Sequence, residues 1–140
     1  MKTFVILALL LTPAVAAADS FVLVGNSRGA PHTLSHADVR GLYTGKVKTF
    51  GGNAAVMVVR PDDDATFNQF TDKVFGLSAH TLLAKIKQEV FKGEMIKPIK
   101  SASDDDVLAA VAGSAGTLGI VSSQAAAHLP KTVVVVAIGD

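Results

Sequence analysis

The sequence contains no cysteine and no tryptophan. Without cysteine there is no disulfide scaffold and no thiolate ligand for a metal, so an apolar core alone must hold the fold. At 49% hydrophobic residues such a core is affordable. An excess of one charge sign is missing too: 13 Lys+Arg stand against 12 Asp+Glu. A near-neutral chain without a basic stripe gives no reason to expect nucleic acid or a membrane surface as partner. Several signatures of chemistry are also lacking. H-E-x-x-H and G-x-G-x-x-G do not occur, and Gly45-Lys46 lacks the Ser/Thr of a phosphate loop. The histidines, His32, His36, His80 and His128, are scattered, and His32 and His36 straddle an expected helix start, so no metal site is expected. Catalysis and a resident cofactor are therefore not expected.

The one long apolar run lies at the N-terminus. A basic start, Met1-Lys2, precedes apolar Phe4 to Leu11, and Ala16-Ala17-Ala18 has the form of a cleavage site. This reads as a signal peptide over 1–18, too short for a membrane anchor. The mature chain then spans 19–140 as one domain. Export places it in a bacterial periplasm or outside the cell. No cysteine at the cut argues against a lipid anchor.

Within the mature chain, strand and helix patterns alternate. Phe21 to Val24 is a short apolar strand, and Gly25 to Pro31 a loop. Ser35 and Asp38 approximate a capping box for a helix ending at Gly45. Lys46 to Asn53 reads as a loop. Ala55 to Val59 is a buried strand, followed by a helix carrying Phe67, Phe70, Val74 and Phe75, which ends at Gly76. Ser78 caps a helix with Leu82, Leu83, Ile86, Val90 and Phe91 as its apolar stripe. Gly93 to Lys100 is a loop, and Ser103 with Asp106 caps a helix ending at Gly113. Gly116 to Val121 and Val133 to Ile138 are strands, the second fully buried. The expected fold class is α/β: a three-layer sandwich with a mixed, mostly parallel sheet and helices on both faces.

The stretch from Ala54 to Gly76 carries the candidate site. A valine-rich strand gives way to Arg60-Pro61, then Asp62-Asp63-Asp64, then a helix. A helix start of this kind offers free N–H groups and a positive dipole end to an anion, and Arg60 adds a planar cationic fork. The same aspartates also stabilise a helix start without any ligand. For Asp104-Asp105-Asp106 only that capping role is expected. Neither triplet has the spacing of a calcium loop.

Four segments in order resemble periplasmic phosphate-binding proteins of ABC transporters, which have the type II periplasmic binding fold. Leu34 to Lys46 is similar to that family's "L…L..IYLGK", and Phe50 with Gly51-Gly52 to its "W..G". Val58-Val59-Arg60-Pro61-Asp62-Asp63-Asp64-Ala65-Thr66, with Phe70, resembles "V.R.DGSGT…F". Ala115 to Val121 resembles "pGaIGYV". The resemblance implies ligand contacts from Arg60, Asp62, Asp64, Ala65 and Thr66: Arg60 as the ion-pairing fork, Asp62 as acceptor from a protonated phosphate oxygen, Thr66 as hydroxyl and amide donor. Asp63, Asp64 and Ala65 stand where the family has Gly, Ser and Gly. A carboxylate in the hydroxyl's place repels a phosphate dianion unless protonated. The resemblance covers one lobe of a two-lobed family, and a lone lobe leaves water in the site. Two functions follow as expectations. One is an exported solute-binding-like lobe that holds phosphate or another oxyanion weakly. The other is an interaction module that docks on a membrane sensor, a transporter or a second copy of itself.

Overall fold

Apolar β-branched segments supply the strands, and capped amphipathic segments the helices. The computed structural model describes residues 20–139, so the expected signal peptide lies outside the described residues. In chain order the elements are β1 (Phe21–Asn26), β2 (Thr33–Ser35), α1 (His36–Tyr43), β3 (Thr49–Phe50), β4 (Asn53–Ala54) and β5 (Val56–Val59), then α2 (Ala65–Phe75), α3 (Ala79–Phe91) and β6 (Ile99–Lys100). α4 (Asp104–Gly113), β7 (Thr117–Ser122), a 3-10 turn (Ala125–His128), β8 (Val133–Val135) and β9 (Ala137–Gly139) complete the chain.

The main sheet has the order β6-β5-β7-β1-β8. β5 runs parallel to both β6 and β7, while β1 is antiparallel to β7 and β8. Helices cover both faces. On one, Phe67, Phe70 and Val74 of α2 pack with Leu42 and Tyr43 of α1, Leu82 and Ile86 of α3, and Met57, Leu118 and Ile120 of the sheet. On the other, Val107, Leu108 and Val111 of α4 pack on Val24, Val58 and Val121. This is the expected three-layer α/β arrangement with a mixed, mostly parallel sheet.

The helix starts follow the sequence. Ser35, Ser78 and Ser103 each accept a hydrogen bond from the amide three residues on, at Asp38, Thr81 and Asp106. Gly76 closes α2 in the left-handed conformation, φ 65°.

Five expectations need correction. β1 continues through Gly25 to Asn26, paired with Val134 and Val133 of β8, so the loop starts later. The segment 46–53 is no plain loop: β3 and β4 form a small hairpin around Gly51-Gly52, both at positive φ. The segment 93–100 ends in β6, recruited by pairing with Val58 and Val59. Val133 to Ile138 is not one buried strand. It breaks at Val136 into β8 at the sheet edge, where Val135 is 45% exposed, and β9, which pairs in parallel with β2. Edge position, not composition, sets that exposure. Phe91, assigned to the apolar stripe of α3, is 93% exposed.

Candidate functional site

β5 and β7 are parallel neighbours, so their C-terminal ends share one edge of the sheet, and α2 and α4 both begin there. Open α/β sheets place ligands at this edge. Arg60 follows directly on β5 and is only 6% exposed. A buried guanidinium needs anionic partners, and it has two. Nη2 donates to Asp64 Oδ2 at 2.9 Å, and Nη1 donates to Asp104 Oδ1 at 2.7 Å. Nη1 also donates to the Ile120 carbonyl of β7 at 3.3 Å. Nε is buried and has no partner among the described residues.

Each carboxylate is fixed a second time. Asp64 is the N-cap of α2, and its Oδ1 accepts from the Phe67 amide at 2.8 Å. Asp104 opens α4, accepting from the Ser122 amide at 2.9 Å and the Ser122 hydroxyl at 2.7 Å. Two helix N-termini, one from each face of the sheet, thus present carboxylates to one arginine. The guanidinium and the helix dipole both favour the ionised Asp104. Burial pulls the Asp104 carboxyl upward, but the two Ser122 hydrogen bonds and Arg60 outweigh it and hold it below the ordinary 3.8. Burial likewise works against the Arg60 cation, and the bonds and charges of Asp104 and Asp64 prevail, raising its pKa.

The expected residues divide in two. Arg60 and Asp64 meet directly. Asp62 turns away: its Oδ2 lies 3.1 Å from Nδ1 of His80 at the start of α3, on the exposed surface. Ala65 is exposed at the first helical position. Thr66 is half-buried, and its hydroxyl makes no hydrogen bond among the described residues. Asn68 holds the turn: Nδ2 donates to the carbonyls of Asp62 (2.8 Å) and Asp64 (3.0 Å), and Oδ1 accepts from the Ala79 amide.

Asp104 and Ser122 were not foreseen as site residues, and the expectation that Asp104 serves only as a helix-start residue is corrected. It stands at the start of α4, but its carboxylate is spent on Arg60 and Ser122. The one signal for this in the sequence was the need of a strand-end arginine for a counter-charge. Nothing local in the chain pointed to a residue 44 positions away.

Fold and site together define an α/β lobe with an arginine at a strand end beside a helix start. Solved structures with this fold include one from Clostridium perfringens, named as a phosphate ABC transporter substrate-binding protein and holding phosphate. It is 17% identical, with a TM-score of 0.63, over 86% of this chain and 45% of its own. An ABC-type phosphate transport receptor from Vibrio cholerae is 14% identical, with a TM-score of 0.63, over 86% and 46%. PstS from Borrelia burgdorferi is 8% identical, with a TM-score of 0.64, over 87% and 48%. No family model and no curated protein matches the sequence. The chain spans about half the length of the structures it matches, the share expected of a single lobe. The resemblance read from the sequence therefore holds at the level of fold.

Proposed function

We propose that this chain is an exported, periplasmic, non-enzymatic lobe of the phosphate-transport solute-binding type that works as an interaction module and not as a phosphate carrier. One observation carries this reading: both terminal nitrogens of Arg60 are committed to the chain's own carboxylates. An oxyanion entering between α2 and Arg60 would have to displace Asp64 from the guanidinium and from its capping amide. It would also approach a cluster in which two carboxylates oppose one cation, an arrangement that repels further negative charge. No cofactor enters the account. The natural partners are a membrane transporter, a membrane sensor or a second copy of the chain.

A second reading keeps a weak oxyanion site. The idle donors of Thr66 and the unpartnered Nε of Arg60 favour it. Calorimetry of the mature chain with inorganic phosphate separates the two. The interaction reading expects no saturable heat in the wild type, and uptake of phosphate by Asp64→Ser, which exchanges the internal carboxylate for a hydroxyl. Saturable heat in the wild type that Arg60→Ala abolishes would establish the oxyanion reading instead.

A further inference from the structure

The interaction reading leaves the partner's place open, and a trough between α3 and β6 supplies one. Its floor is apolar: Val59 and Ile86 are buried, and Leu83, Val90 and Pro98 are partly covered. The open volume is about 570 Å³. Lysines stand on both walls, Lys87 on the helix side and Lys97 and Lys100 on the strand side, all exposed. Among the described residues none of the three pairs with a carboxylate. The two glutamates of the same stretch are engaged elsewhere, Glu89 with Lys92 and Glu94 with Lys48, each at 3.4 Å. No carboxylate lines the trough. Of the four large apolar side chains exposed among the described residues, Phe91, Ile96 and Ile99 belong to this region, where α3 ends and the chain turns into β6. The sequence has no basic stripe, but folding gathers lysines here around apolar surface.

We propose that this trough docks an acidic amphipathic helix of a partner protein, a proposal that rests on the interaction reading above. The apolar floor takes residues at i, i+3, i+4 and i+7 of the incoming helix. The flanking lysines meet Asp and Glu on its shoulders, which supplies charge complementarity and speeds association. The recessed floor tells against a bilayer, which cannot reach between two walls. A helix can. β6 pairs with β5 on one side only, so the strand wall is also a sheet edge.

The test is selection of a phage-displayed random library of peptides about 16 residues long, a length near the limit for an isolated helix, on the full chain. A synthetic copy of the enriched peptide is then titrated by fluorescence anisotropy. The expected winners carry acidic residues beside an apolar i, i+3, i+4, i+7 stripe. Their affinity falls about tenfold or more in the exposed-surface variant Lys87→Glu/Lys97→Glu/Lys100→Glu, and falls with added salt. Leu83→Asp, at a half-buried position, is a second variant expected to lose binding, with circular dichroism confirming the fold of both. The proposal is overturned by no enrichment, by basic or uncharged winners, or by affinity indifferent to the three reversals. Tighter binding to vesicles of phosphatidylglycerol and phosphatidylcholine in equal parts, or occupation by a second copy in light scattering, also overturns it. Saturable phosphate binding with peptide selectivity retained would instead remove the reading of Arg60 and leave the trough standing.

Discussion

Arg60 is costly to bury and hard to replace. Removing it leaves Asp64 and Asp104 facing each other without a cation, at 16% and 30% exposure. Breaking a buried pair from one side typically costs about 3–5 kcal/mol, and the partial exposure of the acids places Arg60→Ala near the lower figure. Urea unfolding at neutral pH reads it directly. Asp104→Asn removes a charge while keeping an acceptor for Ser122, and should cost about 2 kcal/mol. Because the folded Asp104 carboxyl lies below its ordinary value, the unfolded chain binds the proton first as pH falls. That stabilisation is complete above about pH 4 and drains away below it. Stability measured from pH 7 down to pH 2 should fall more steeply in the wild type than in Asp104→Asn. Tyr43 behaves oppositely. Its hydroxyl is fully buried among Phe70 and Phe75 with no partner among the described residues, and burial raises its pKa. Tyr43→Phe removes an unsatisfied group and should raise the melting temperature, by about 1 kcal/mol of added stability. Arg60 and its partner Asp64 could be read locally, four residues apart on a strand-to-helix turn. Asp104 and Tyr43 could not, because their surroundings are made by distant segments.

Among the elements, the strand-to-helix junctions decide whether the site assembles. α4 must lie close on β7 for Asp104 to reach Arg60. Gly119 permits it: a Cβ there would stand 2.8 Å from Val107 Cγ1 and 3.0 Å from Val58 Cβ. Gly119→Ala should lift α4 from the sheet and destabilise by about 1–3 kcal/mol through overpacking, with the Asp104–Arg60 contact loosened in a crystal structure of the variant. Gly116, at φ 84°, makes another close approach: its carbonyl accepts from the Val56 amide, and a Cβ there would stand 2.4 Å from the Ala54 carbonyl oxygen. Capped helices were the best-read elements, since a serine followed by an acidic residue or threonine is a local device with local effect. The strands were read less well. β3, β4 and β6 have two residues each and exist through their pairing, and β8 and β9 divide one valine run according to which neighbour each finds.

For the whole molecule, the fold matches about half of the phosphate-transport structures it resembles, with the acidic strand-end site on one edge and a lysine-walled trough beside α3. The alternation of strand and helix patterns made the architecture legible, and motif order made the likeness of fold legible. What the strand-end site does with its arginine was not, because that depends on which carboxylate arrives from the opposite face of the sheet.

The central claim is that Arg60 is locked between Asp64 and Asp104. The direct measurement follows the Arg60 guanidinium nitrogen resonances by NMR while inorganic phosphate is added to on the order of 10 mM, which fills any site with a Kd well below that concentration. A locked guanidinium shows slowly rotating, protected Nη protons whose shifts stay unchanged throughout the titration. Saturable movement of those resonances, with Asp64 released from the guanidinium, would contradict it.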